Sequence, residues 1–240
     1  MNLLPVLLHI LISLPFAGIS HLQQHDPCEA ARAGAVAATH IAKDSLFQEA
    51  LLSIKNAYNS DGKEHCISFG KDSDGQMLAS PVSNGNTISS NVPRITNAFA
   101  DLHNHPNNIP PDAGDFYGLA NINKNNRNYT TRFAVTPDGT LYVLLVTDTT
   151  ALLTFIAKYP PQPPAFKGGP KGFPVHITDE AREMKYNRNC TDEMVLAFML
   201  EKYQTGISLL KQNSNGVFIK IVTTVTKNKR GLVYAVGSCP

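Results

Sequence analysis

Along the 240 residues the spacing of apolar positions changes period several times. Between residues 29 and 58 it is helical, with Ala33, Val36, Ala37 and Ile41 followed by Leu46, Ala50, Leu51 and Ile54, which predicts one or two helices. From Glu64 it shortens to two: His65 to Phe69 reads as a strand, Lys71-Asp-Ser-Asp-Gly75 as a turn, and Gln76 to Val82 as the returning arm of a hairpin. Pro93 to Ala98 is expected as a short helix leading into a strand over Phe99 to His103, and Asp112 opens a helix toward Asn123. A second hairpin has arms Arg132 to Thr136 and Leu141 to Thr147 around Pro137-Asp138-Gly139. Thr149 to Lys158 then returns to helical spacing.

Residues 159–174 hold so many prolines that neither helix nor central strand is sustainable, because each removes a donor and fixes φ; they read as a linker or surface loop. Beyond it Thr178 to Tyr186 and Asp192 to Tyr203 look helical, Gly206 looks like a helix-terminating glycine, and Val217 to Val225 with Leu232 to Val236 form a terminal hairpin. The order of elements predicts an α/β protein. Its mixed, mostly antiparallel sheet is flanked by helices and centred on residues 60–158, and 175–240 forms a small α+β extension.

Composition narrows the class. A hydrophobic fraction of 42% and a charged fraction of 17% are those of a globular chain. A formal net charge of +2 creates no strong field, and no Lys/Arg run is interleaved with aromatics, so no nucleic-acid partner is expected. Residues 1–20 form an apolar run ending in small residues and read as a signal peptide, although no Lys or Arg precedes the run. The expected location is secreted or periplasmic, with no stable membrane association once the leader is removed. Cys28, Cys66, Cys190 and Cys239 suit that compartment, and no CxxC pair offers a structural zinc site. Three disulfide connectivities are open; Cys190 with Cys239, which share the C-terminal segment, is the first expectation, and Cys28 with Cys66 follows.

The chemistry is concentrated in Phe99-Ala-Asp-Leu-His103-Asn-His105-Pro-Asn-Asn-Ile-Pro-Pro-Asp112-Ala-Gly-Asp115. In a strand, side chains at i and i+2 share a face, so His103 and His105 present two imidazoles together. Pro106, Pro110 and Pro111 stop the strand, and Asp112 is a good N-cap, which places Asp115 in the first turn of the next helix. Two His and one carboxylate are a common catalytic zinc set with a position left for water. Glu64, at the start of a strand able to lie beside the ligand strand, is the candidate general base. Glu49 is set aside because its helical context puts it on a solvated face. His65 and Cys66 fall on opposite faces of one strand and are not read as ligands.

The sequence of Glu64, His103-Asn-His105-Pro and Asp112-Ala-Gly-Asp115 resembles the JAMM (MPN+/JAB) metallopeptidase motif of Glu, HxHP and SxxD, most closely in RadC-like and other bacterial JAB-like members. The resemblance spans roughly residues 60–158. It implies a JAB/MPN-like, cytidine-deaminase-like fold over 29–158, zinc held by His103, His105 and Asp115, proton transfer by Glu64, and a peptide or protein substrate. The chain departs from the motif at Asp112, which stands where the family has a serine that stabilises the oxyanion, and the His105–Asp115 spacing is one residue shorter than usual. The alternative is a JAB-like binding or toxin-associated module without catalysis. An HNH nuclease does not fit, since those enzymes spread their three residues over a ββα element.

Overall fold

The computed structural model describes residues 27–164, 169–229 and 231–239; the apolar run over residues 1–20, expected to be a signal peptide, lies outside them. The described residues form a mixed α/β structure of six helices and one open, mostly antiparallel sheet of nine strands. Helix α1 (Pro27–Lys43) and helix α2 (Ser45–Asp61) part at Asp44, whose carboxylate accepts the Leu46 N–H, and α2 stops where Gly62 takes φ 68°. Strands β1 (His65–Lys71), β2 (Met77–Ala79), β3 (Ser83–Asn84) and β4 (Ala100–Asn104) follow, then α3 (Ala113–Asn125), β5 (Thr131–Val135), β6 (Leu141–Val146) and α4 (Thr149–Lys158). Next come α5 (Val175–Arg182), a π-helical turn over Glu183–Asn187, α6 (Asp192–Lys202), β7 (Ile207–Gln212), β8 (Phe218–Asn228) and β9 (Gly231–Ser238).

The sheet runs β2-β1-β4-β5-β6-β7-β8-β9, with β3 also paired to β1. Only β4 and β5 are parallel among these pairs. A parallel step requires a crossover over one face, and α3 is that crossover. Its N-terminus therefore starts close to the end of β4. Residues 207–238 do not stand apart, because β7 pairs with β6 and continues the same sheet.

Alternation along the strands separates two cores. Ile67, Phe69, Ala100, Leu102, Phe133 and Val143 pack with Phe47 and Ile54 under α1 and α2. Tyr142, Leu144 and Val146 face the other way, with Phe116 and Leu119 of α3, Leu152 and Phe155 of α4 and Leu196 and Leu200 of α6. The large side chains here are almost wholly buried, each worth about 1.5–3 kcal/mol relative to exposure.

Three expectations need correction. The disulfide joins Cys28 to Cys239 with Cα atoms 5.5 Å apart, while Cys66 and Cys190 are buried thiols. Helix α1 packs along β8, and Cys239 follows β9 with its N–H bonded to the Lys220 carbonyl of β8, so residues 211 apart in sequence meet. Residues 93–98 form no helix. Thr96 closes over β1 so tightly that a Cβ on Gly70 would stand 2.2 Å from its carbonyl oxygen, the Ser68 hydroxyl holds the Pro93 carbonyl at 2.7 Å, and Asn97 turns to φ 47°. Of the hairpin arm expected over 76–82 only β2 forms, and β3 resumes the pairing with β1 beyond Pro81, which has no N–H to give the ladder.

Candidate metal centre

β4 carries two rows of side chains. Ala100, Leu102 and Asn104 face α2, whereas Asp101 and His103 face α3, and His105 continues that second row just past the strand. The chain beyond is held from both sides. The His105 N–H donates to the Val135 carbonyl, Tyr58 Oη of α2 donates to the Pro106 carbonyl at 3.1 Å, and the Asp138 N–H donates to Asn108 Oδ1 at 3.1 Å. Proline stiffness and these anchors bring the chain back to the start of α3.

There Asp112 and Asp115 form a reciprocal cap. Asp112 Oδ1 accepts the N–H of Gly114 at 2.6 Å and of Asp115 at 3.2 Å, and Asp115 Oδ2 accepts the Asp112 N–H at 3.0 Å. The cap aims the Asp115 carboxylate at the two imidazoles. His103 Nε2 lies 3.1 Å from His105 Nε2 and 3.0 Å from Asp115 Oδ1, and His105 Nε2 lies 3.1 Å from Asp115 Oδ2. The His105 Nδ1–H donates to the Ile109 carbonyl at 3.0 Å, which leaves Nε2 as the atom that could ligate a metal.

This donor set fits a metal ion. Ligands at 2.0–2.1 Å from a tetrahedral zinc are about 3.3 Å from one another, close to all three separations here. His103, His105 and Asp115 are the group among the described residues whose ligand atoms converge in this way. Two imidazole nitrogens and a carboxylate match the borderline and hard preferences of zinc and its divalent neighbours.

Electrostatics follow from burial. Burial would raise the Asp115 carboxyl, but the charge and hydrogen bond of His103, then those of His105, hold it well below the usual range. Burial would lower the His105 imidazolium, yet the hydrogen bond and charge of Asp115, with Glu64 behind them, carry it up to about 9. Burial pushes the Glu64 carboxyl up to about 7, against the pull of His103 and His105. Asp112 is raised as well, by burial and then by Asp115.

Glu64 and Asp112 both line the cavity, of about 500 Å³, into which His103, His105 and Asp115 open. Glu64 is set there by a residue that the sequence did not single out. Asn104, between the two histidines, accepts the His65 N–H on its Oδ1 at 2.8 Å and donates through Nδ2 to the Lys63 carbonyl at 3.0 Å, gripping the chain on both sides of Glu64. On the opposite edge Glu64 N–H donates to Asn86 and its carbonyl accepts from Gly85. His65 turns away to Asp61 of α2, Nε2 to Oδ1 at 2.9 Å, and Cys66 turns into the cavity wall with Sγ 3.9 Å from Asp101 Oδ2. Glu49 is exposed on α2. Arg132 and Asp101 also line the cavity and pair within it. A charged residue at an inward position of the apolar strands FADLH and TRFAV is the signal that could have marked them.

Neither a protein-family model nor a curated protein matches the chain. No helix among the described residues is long and apolar enough to cross a membrane.

Proposed function

We propose that the chain is an exported, zinc-dependent peptidase of JAMM type, with the JAB/MPN-like fold, acting on an amide bond of a peptide or protein. The observation that carries the reading is the convergence of His103, His105 and Asp115 to 3.0–3.1 Å in a cavity that also holds a carboxyl pushed up to about 7. A zinc ion in such a set supplies Lewis acidity, polarising a carbonyl oxygen and acidifying a water toward pKa 7 or so.

The protein's own groups then have separable tasks. Glu64, matched to neutral pH, takes the proton of the attacking water and returns it to the leaving amine nitrogen. Asn104 keeps Glu64 beside the ligand strand by holding its two neighbours. Ile109 fixes the His105 tautomer, and the Asp112 N–H orients Asp115. Export is supported by the apolar leader and agrees with the Cys28–Cys239 disulfide.

Metal content and hydrolysis of a mixed peptide library, for the wild type and Glu64→Gln, test this reading. Both proteins should hold one zinc, and the variant should lose about 10²–10⁴ in rate. A wild type without stoichiometric metal would sink it. Asp112 favours one rival, a metal-binding module without catalysis, since a carboxyl lines the cavity where the family motif has a serine. Equal hydrolysis by both metal-loaded proteins would put that rival ahead.

A further inference from the structure

Behind the ligand residues the cavity wall contains a buried ion pair that the chemistry above does not use. Arg132 of β5 and Asp101 of β4 are cross-strand neighbours in the parallel pair. Arg132 Nε reaches Asp101 Oδ1 at 3.2 Å and Oδ2 at 3.1 Å, and Nη2 reaches Oδ2 at 2.9 Å. Their side chains are 7% and 1% exposed, so the pair is out of water and the fork geometry is fixed at one end. The other end of the guanidinium points at α3. Nη1 donates to the Asp115 carbonyl at 3.0 Å and stands 3.9 Å from Asp115 Oδ1.

Gly118, one turn further along α3, makes room for this. A Cβ there would lie 2.3 Å from Arg132 Nη1 and 3.2 Å from Cζ. Glycine inside a helix is unfavourable by about 1 kcal/mol relative to alanine, so its use here points to close passage of the guanidinium.

We propose that Arg132 is a positioning residue for the metal centre: anchored on Asp101 and admitted beneath α3 by Gly118, it ties the first turn of that helix to β5 and so sets the Asp115 carboxylate against His103 and His105. The inference rests on the reading of those three as ligands. The reciprocal cap orients Asp115 relative to its own helix, whereas Arg132 fixes the helix relative to the strands that carry the imidazoles. Partners of this kind typically contribute about 10–100-fold in metal affinity.

The test is zinc affinity of the full chain by competition with a chromophoric chelator, together with the visible absorption of the cobalt(II) form, which reports coordination geometry. Removing Arg132 alone strands a buried Asp101 charge and endangers folding. The variant is therefore Asp101→Leu with Arg132→Met, which replaces the whole pair by apolar groups, and Gly118→Ala is the second, since alanine favours the helix while displacing the guanidinium. Both should fold, by circular dichroism, bind zinc about 10–100-fold more weakly, and show weakened cobalt bands as Asp115 leaves the coordination sphere; Arg132→Lys should recover part of the loss. Folded variants with wild-type zinc affinity and cobalt spectrum would overturn the positioning role while leaving the metal centre standing. A wild type that binds neither metal would overturn both.

Discussion

On the proposed reading of His105 as a metal ligand, proton and metal compete for one of its atoms, because its Nδ1–H is committed to the Ile109 carbonyl and only Nε2 remains. In the metal-free protein the imidazolium is held up to about 9, above its ordinary value. The sign follows: that proton contributes stability fully present below about pH 6.5, lost as pH rises through about 9. Metal affinity runs the other way, since binding must release the proton. Zinc affinity should rise on the order of tenfold per pH unit between pH 7 and 8. Competition titrations at the two pH values check this, and a pH-independent affinity would mean that His105 is already neutral. Asn104 offers a second measurement at this scale. Asn104→Ala removes both of its bonds to the chain around Glu64 and should lower peptide hydrolysis while the zinc content stays at one; loss of zinc instead would assign it to the ligand strand.

At the scale of elements, β4, the proline turn and the start of α3 form the centre as one unit. Asp112 contributes through its side-chain bonds to Gly114 and Asp115. Serine is an equally good N-cap, so Asp112→Ser should leave the thermal midpoint nearly unchanged, whereas Asp112→Ala should cost about 0.5–2 kcal/mol. If the carboxyl opposes charge developing in the cavity, Asp112→Ser should also raise peptide hydrolysis; unchanged rates would show that capping is its whole role. These local relations were legible in the chain. The i, i+2 histidines, the cap and Asp115 obey rules that operate over a few residues, as do the Pro137-Asp138-Gly139 hairpin and the helix at Thr149–Lys158. What was not legible depends on distant partners. Nothing in the sequence marks Asn104, whose bonds go to residues 63 and 65, and Arg132 meets Asp101 across 31 positions. Pro93 to Ala98 lacks the length to be a helix against the pull of Ser68 and the close approach to Gly70.

The strands of the described residues form one sheet whose far edge is tied back by Cys28–Cys239. A cross-link spanning 211 positions removes a large share of unfolded-chain entropy, about 5 kcal/mol in the loop-closure account. Reduction, or Cys28→Ser, should therefore lower the thermal midpoint markedly. Thiol counting of the unreduced protein in denaturant should find two free thiols, with a Cys28–Cys239 peptide in a non-reducing digest. A Cys190–Cys239 peptide would contradict the structure.

The path of strands ends at β9, and beyond it no further described strand pairs. Along β9 Leu232, Val233 and Val236 are exposed, so its outer row of amide and carbonyl groups is accompanied by β-branched and aliphatic side chains. Such a border is a template on which a foreign strand can grow, and proteins usually guard it with charge, proline or a bulge. Here the guard is covalent: Cys239, directly after β9, is fastened to α1, which limits how far the border can peel away and present itself. Reducing agent should thus change the colloidal behaviour of the protein before it changes the helices. Light scattering is expected to rise, at temperatures where far-ultraviolet circular dichroism is still native, and replacing Val233 and Val236 by lysine should suppress that rise.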